Sequence, residues 1–282
     1  MGLQEIYDKL SFTDDSLIQL SDKDWKKKVV LPSRVCRLLE ENEFLRTLDA
    51  FFCFDNKPLI LFFKDPLDKK ALHQAIWNFN ESPIAIIVEN NVVEIFNGFA
   101  IDENKQLLKR LGGNETLNDF TYFELVTGKT WEKYNDDISY KNRVDYRLLE
   151  NIEAVQKLLK EKGLTQTTAN ALLGKIIFFR YLIDRHVRLN YQEKELWSND
   201  DLCNCLSNRN EFIAFIRHIE NKDTGFNGDM FRISESEFDT IGQDALNVLI
   251  RLLRSDEIST GQQSLFNIYD FSILPIEFIS NM

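Results

Sequence analysis

DAFFCFDNKPLILFFK, residues 49–64, is the stretch whose reading decides the fold. Two runs of β-prone residues, Ala50–Phe54 and Leu59–Phe63, flank the polar segment Asp55-Asn56-Lys57-Pro58. An Asp-Asn pair between such runs is turn chemistry, because both residues tolerate the left-handed backbone a tight reversal needs. The stretch therefore predicts a hairpin, closed by Lys64 at the end of an otherwise apolar strand.

Working outward, DPLDKKALHQAIWNFN (65–80) predicts a helix. Pro66 lies near its start, and Leu67, Leu72, Ala75, Ile76 and Phe79 form its apolar face. SPIAIIVENNVVEIFNGF (82–99) predicts a second hairpin around Glu89-Asn90-Asn91. Upstream, Thr13 and Asp22 are cap-like, and Pro32 suits the first turn of a helix carrying Leu31, Val35, Leu38 and Leu39. The sum is an α+β arrangement, a small sheet covered by helices that closes near residue 130.

From Tyr134 the periodicity changes, which places a domain boundary near 128–136: an α/β domain over 1–130 and an α-helical domain over 131–282. VDYRLLENIEAVQKLLKEKG (144–163) is amphipathic and stops at Gly163, where a left-handed residue belongs. TANALLGKIIFFRYLIDRHV (168–187) is apolar around nearly its whole circumference until Asp184, the mark of a central helix. Asn208 with Glu211, and Ser234 with Glu237, have capping-box spacing, the latter ahead of FDTIGQDALNVLIRLLRS (238–255). FNGDMF (226–231) reads as a turn. In FSILPIEFISNM (271–282), Pro275 opens an apolar helical turn that stops after about two turns, too short to hold without packing. The expectation is that the natural chain continues beyond it.

Composition narrows the function classes. With 44% hydrophobic and 28% charged residues over 282 positions, the chain is globular in character. No apolar run approaches the roughly 20 residues that span a bilayer, and MGLQEIYDKL lacks the basic start and apolar middle of a signal peptide. Cys36, Cys53, Cys203 and Cys205 lack zinc spacing, so reduced thiols and a cytoplasmic location are expected. The net charge is −11. From Asn135 onward 17 Lys and Arg oppose 23 Asp and Glu, and before it 17 oppose 22, so neither half is basic. A stand-alone duplex binder usually carries a basic face; this chain is not expected to supply most phosphate contacts to a nucleic acid.

Few residues assemble into chemistry. His73, His186 and His218 are isolated, and neither Gly112-Gly113 nor TGFNGD has the spacing of a phosphate loop. No glycine cluster for S-adenosylmethionine is present. Lys175, Arg180, Arg185 and Arg188 share one helical segment with Tyr181 and are candidate DNA-backbone contacts; ion pairs around Asp184 are the competing expectation. Trp131 and Tyr134 are expected to pack a domain junction.

Asp49 before one strand and Lys64 on the next resemble the metal-dependent nucleases of the PD-(D/E)xK kind. Those need one acid on the first strand and a second acid two positions before the lysine, to hold Mg²⁺ and position the attacking water. Here the position two before Lys64 is Phe62. Asp65 follows the lysine and, in a regular strand, points to the opposite face.

A wider resemblance rests on SPIAIIVENNVVEIFNGF, TGKTWEKYN (127–135), KNRVDYRLLENI (141–152), ANALLGKIIFFRYLIDRHV (169–187), FNGDMF and YDFSILPIEFIS (269–280). In combination these are similar to the N-terminal region of type IIG restriction–modification enzymes and related adenine-specific DNA methyltransferases. The resemblance implies a PD-(D/E)xK nuclease-like mixed sheet with flanking helices, then an all-α connector whose C-terminal helices dock a methyltransferase domain. It carries the family's nuclease positions onto Asp49, which would also be the metal ligand, and onto Lys64 and Gln74. Phe62 breaks that pattern. S-adenosylmethionine and Mg²⁺ belong to the complete enzymes, with no cofactor expected in this chain, and DNA would be met through the complete protein. Three functions follow as expectations: a non-catalytic N-terminal module of a DNA-modification protein serving phage defence; a live endonuclease with its carboxylate relocated to Asp65 or Asp55; or an interaction subunit of a defence system without DNA contact.

Overall fold

A computed structural model describes residues 2–13, 15–102, 104–221, 223, 231–254, 257–258, 262–263 and 268–274. The chain divides into two compact units, 1–147 and 148–282.

The first unit is built on a six-stranded mixed sheet of β1 (Leu17–Gln19), β2 (Ala50–Phe54), β3 (Lys57–Lys64), β4 (Ile84–Glu89), β5 (Val92–Asp102) and β6 (Leu107–Gly113), in that spatial order. Every neighbouring pair is antiparallel except β3 and β4, which run parallel. The expected hairpins form. Asp55 and Asn56 turn β2 into β3 with φ of 51° and 56°, and Asn90 and Asn91 turn β4 into β5 with φ of 49° and 64°. Paired left-handed residues match the twist of the flanking strands. Lys57 and Pro58, expected in the turn, belong to β3. The parallel pair needs a crossover, supplied by α4 (Lys69–Phe79), whose first turn is capped by the Asp68 carboxylate accepting Ala71 N–H at 2.9 Å.

Helices cover both faces of the sheet, so its central strands are apolar on both sides instead of alternating. The row Ala50, Phe62, Ile86 and Ile95 faces α1 (Leu3–Leu10), through Ile6, Tyr7 and Leu10, and the segment holding Leu117, Phe120, Leu125 and Tyr134. The adjacent row, Phe51, Leu61, Ala85 and Phe96, meets Trp25 and α4. The helix expected after Pro32 is α3 (Ser33–Glu41; α2 is the single turn Trp25–Lys28), burying Val35, Leu38 and Leu39. Leu67 departs from expectation: it precedes α4 and is fully exposed instead of joining the apolar face.

The first unit runs past residue 130. Tyr134 donates its hydroxyl to Asp119 Oδ2 at 2.9 Å, Asn97 Nδ2 donates to Asp137 O at 2.6 Å, and Trp77 Nε1 donates to Asn142 O at 3.2 Å. Trp131 donates to Leu125 O at 3.1 Å, within the same unit. Two single-turn helices, α5 (Tyr122–Val126) and α6 (Lys129–Lys133), complete this part.

The second unit contains most of α7 (Val144–Glu161), then α8 (Gln166–Asp184), α9 (Asn199–Leu206), α10 (Arg209–Glu220), α11 (Glu235–Phe238) and α12 (Gln243–Arg254). Gly163 ends α7 at φ 89°, and α8 is buried on nearly every side. The Asn208 side chain accepts Asn210 N–H and Glu211 N–H, and Ser234 and Glu237 form a reciprocal box. The helix expected from Ser234 is interrupted at residues 239–242, giving α11 and α12. A two-stranded ribbon, β7 (Glu257–Ile258) with β8 (Gln262–Gln263), means the unit is not all-α. Most of FNGDMF, and the expected turn from Pro275 onward, lie outside the described residues.

Candidate functional site

The β2–β3 hairpin brings Asp49 and Lys64 together. Asp49 N–H donates to Phe62 O at 3.0 Å, and its carboxyl lies beside the backbone N–H and the charge of Lys64. Burial holds the Asp49 carboxyl above the ordinary carboxylate range. The Lys64 charge and N–H oppose that shift, and the charge of Asp65 adds to it. Tyr7 of α1 lies near the same carboxyl; burial, then the Asp49 charge, pushes its phenol up.

Phe62 puts hydrocarbon at the position, two residues before Lys64, where such a site carries its second acid. It is fully buried, with the Tyr7 ring edge-on at 5.0 Å and Phe12 at 6.1 Å. Asp65 is not placed by strand alternation, since its φ of 42° takes it out of β3. Its N–H donates to Val88 O at 2.8 Å, and its Oδ1 accepts Asn90 N–H at 3.0 Å. The carboxylate is thus tied to the β4 side, while Asp49 lies on the β2 side of the same strand end. Asp55 sits in the turn at the opposite end of the hairpin, about 20 Å along β2 from Asp49 at roughly 3.3 Å per residue. Gln74 lies on α4 and donates to Gln106 Oε1 at 3.3 Å, next to β6. No contact joins it to Asp49 or Lys64 among the described residues.

The carboxyl ends of β3 and β4 open into a polar cleft of about 470 Å³ lined by Lys64, Asp65, Pro66, Glu89, Asn90 and Asn91. Parallel strand ends are a common place for such clefts. Glu89, Asn90 and Asn91 were not expected there from sequence; the helix between two apolar strands was the signal that could have shown it. Behind the cleft, Lys69 bridges Glu89 at 3.1 Å and Glu94 at 2.5 Å. His73, one turn further along α4, is buried against Phe96 and accepts Leu108 N–H on Nδ1 at 2.9 Å. Burial, and then the Lys69 charge, lowers its pKa to about 4.

The basic residues of the second unit lie against acids and a ring. Lys175 is only 2% exposed and ion-paired with Glu220, and Arg180 Nε holds Asp184 Oδ1 at 2.7 Å with both side chains mostly buried. Neither can reach a phosphate without leaving its partner. Arg185 lies over the Tyr181 ring, 4.5 Å from its centroid, and donates to Ser272 O at 3.3 Å. Arg188 is exposed and pairs with Glu195 at 3.4 Å. The apolar circumference of α8 draws in the lysine and arginine stems, and the buried charges then need carboxylates.

Mg²⁺ takes oxygen ligands at near-octahedral geometry. Asp49 supplies one carboxylate, Phe62 supplies none, and Asp65 is turned to Asn90, so the residues present do not fit that ion. Among the described residues no group of three His, Cys, Asp or Glu gathers at metal-ligating spacing, and no helix is long and apolar enough to cross a membrane. Comparisons with protein-family models, curated proteins and solved structures find no match to the chain.

Proposed function

We propose that this chain is the non-catalytic N-terminal module of a DNA restriction–modification protein of the adenine-methyltransferase kind. The first unit is a nuclease-like framework whose metal site has closed, and the helical second unit carries the docking surface for a methyltransferase domain. The observation that carries the reading is Phe62. It occupies a fully buried core position two residues before Lys64, where such a site would carry its second acid, and its carbonyl accepts Asp49 N–H. The crossover helix α4 between the parallel strands β3 and β4, beside the β2–β3 hairpin, supports the nuclease-like framework, although α2 and α3 separate β1 from β2. The sequence resemblance supports the modification context.

The test is to incubate the chain with supercoiled plasmid and Mg²⁺ or Mn²⁺, and separately to titrate it with S-adenosylmethionine. Neither cleavage nor binding is expected. Metal-dependent nicking that disappears in Asp49→Ala would overturn the reading in favour of a live endonuclease, a role that Asp55 is too distant to support.

A second reading, an interaction subunit without DNA contact, is favoured by the burial of Lys175 and Arg180 and by the net charge of −11. Salt-dependent duplex binding by the isolated chain would exclude it.

A further inference from the structure

We propose that the groove between α7 and α8 is a binding site for a neutral, flat ring with an amide-like edge, the chemistry shared by a free nucleobase and by nicotinamide. The groove encloses about 310 Å³, at the lower end of the range for small-molecule sites. Its floor is Ile152, Leu173 and Ile177, all buried and apolar. The polar groups lining it are the amide of Gln156, the amides of Gln166 and Asn170, which bond each other at 2.7 Å, and the Thr167 hydroxyl; among the described residues no ionisable side chain lines it. Burying a charged group there would leave it without a counter-charge. An uncharged edge with a donor beside an acceptor matches amides, which offer both.

One wall is set by an unusual pair. Phe231 closes the groove with φ at +56°, a region bulky L-residues rarely adopt, and its ring rests on Gly174. A Cβ at position 174 would overlap that ring. Glycine is unfavourable in a helix interior, and a left-handed phenylalanine is strained. Two unfavourable choices at one contact hold an aromatic ring in the groove wall, which a flat ligand could pack against.

The experiment is saturation-transfer NMR on the full chain with free uracil and nicotinamide as probes and benzoate as a flat, charged control. At least one neutral probe is expected to bind saturably and benzoate not to bind. Gln156→Leu, at a partly exposed position, is expected to weaken that binding by about ten-fold, the worth of one hydrogen bond. Gly174→Ala, which displaces the ring, is expected to abolish it in protein shown to be folded by circular dichroism. The proposal is overturned if neither neutral probe binds, if benzoate binds as well as they do, or if Gln156→Leu leaves the affinity unchanged.

Discussion

The carboxyl of Asp49 lies beside the backbone N–H and the charge of Lys64, so the start of β2 and the end of β3 come together at the two residues a metal-dependent site would use. That N–H and the lysine charge favour the ionised acid, yet partial burial outweighs them and holds the carboxyl above its ordinary range.

The folded chain therefore keeps the Asp49 proton to a higher pH than the unfolded chain does. Through that window the native state binds more protons, and stability falls as pH rises from the ordinary carboxylate range to the raised value. Asp49→Asn should be more stable than the parent at neutral pH, with the difference closing in acid below the carboxylate range. Asp49 is exposed, which keeps the effect small. Urea midpoints at both pH values check it; a variant destabilised equally at both would contradict it.

Phe62 acts as core. Phe62→Ala should lower stability by about 3–5 kcal/mol, the usual loss for a buried aromatic truncated to a methyl. Denaturant titration reads this directly, and a change below about 1 kcal/mol would show that the side chain is not the packing element described.

His73 titrates in the opposite sense to Asp49. Its folded pKa, about 4, lies below the unfolded value near 6.5. Between those values the unfolded chain binds more protons, so stability is lost as pH falls through the window, on the order of 2–3 kcal/mol. His73→Leu should flatten this dependence while lowering stability at neutral pH by about 1–3 kcal/mol, because Leu108 N–H loses its acceptor. Thermal or urea unfolding across that pH range distinguishes the two effects.

Lys175 and Arg188 should separate cleanly. Lys175→Ala removes a buried cation and strands Glu220, which is partly exposed, so a loss of about 1–3 kcal/mol is expected. Arg188→Ala removes only an exposed pair and should change stability by less than about 0.5 kcal/mol. Equal effects in paired unfolding curves would contradict the burial of Lys175.

The hairpins were legible because turn chemistry is local: Asp55-Asn56 and Asn90-Asn91 announce themselves between β-prone runs. So were the ends of α7 and α10, set by Gly163 and Asn208. β1 was not, since three residues reach strand geometry only by pairing with β2. β6 was obscured by Lys109, Arg110 and its closing glycines, and it forms against β5 through two register shifts. The direction of Asp65 was hidden by its left-handed backbone, which strand alternation cannot anticipate. The burial of Lys175 depends on Glu220, 45 residues away. Local pattern showed where Asp49 and Lys64 meet; only the fold showed that Phe62 is packed in the core against Tyr7 and Phe12.

The central claim is that Phe62 has closed the site, so that Asp49 holds no divalent cation. Paramagnetic broadening of backbone amide signals on titration with Mn²⁺ tests it most directly. The account predicts that Asp49 and Lys64 broaden no more than other exposed acidic positions, in the parent and in Asp49→Ala alike. Saturable broadening centred on Asp49 and Lys64, lost in Asp49→Ala, would contradict it.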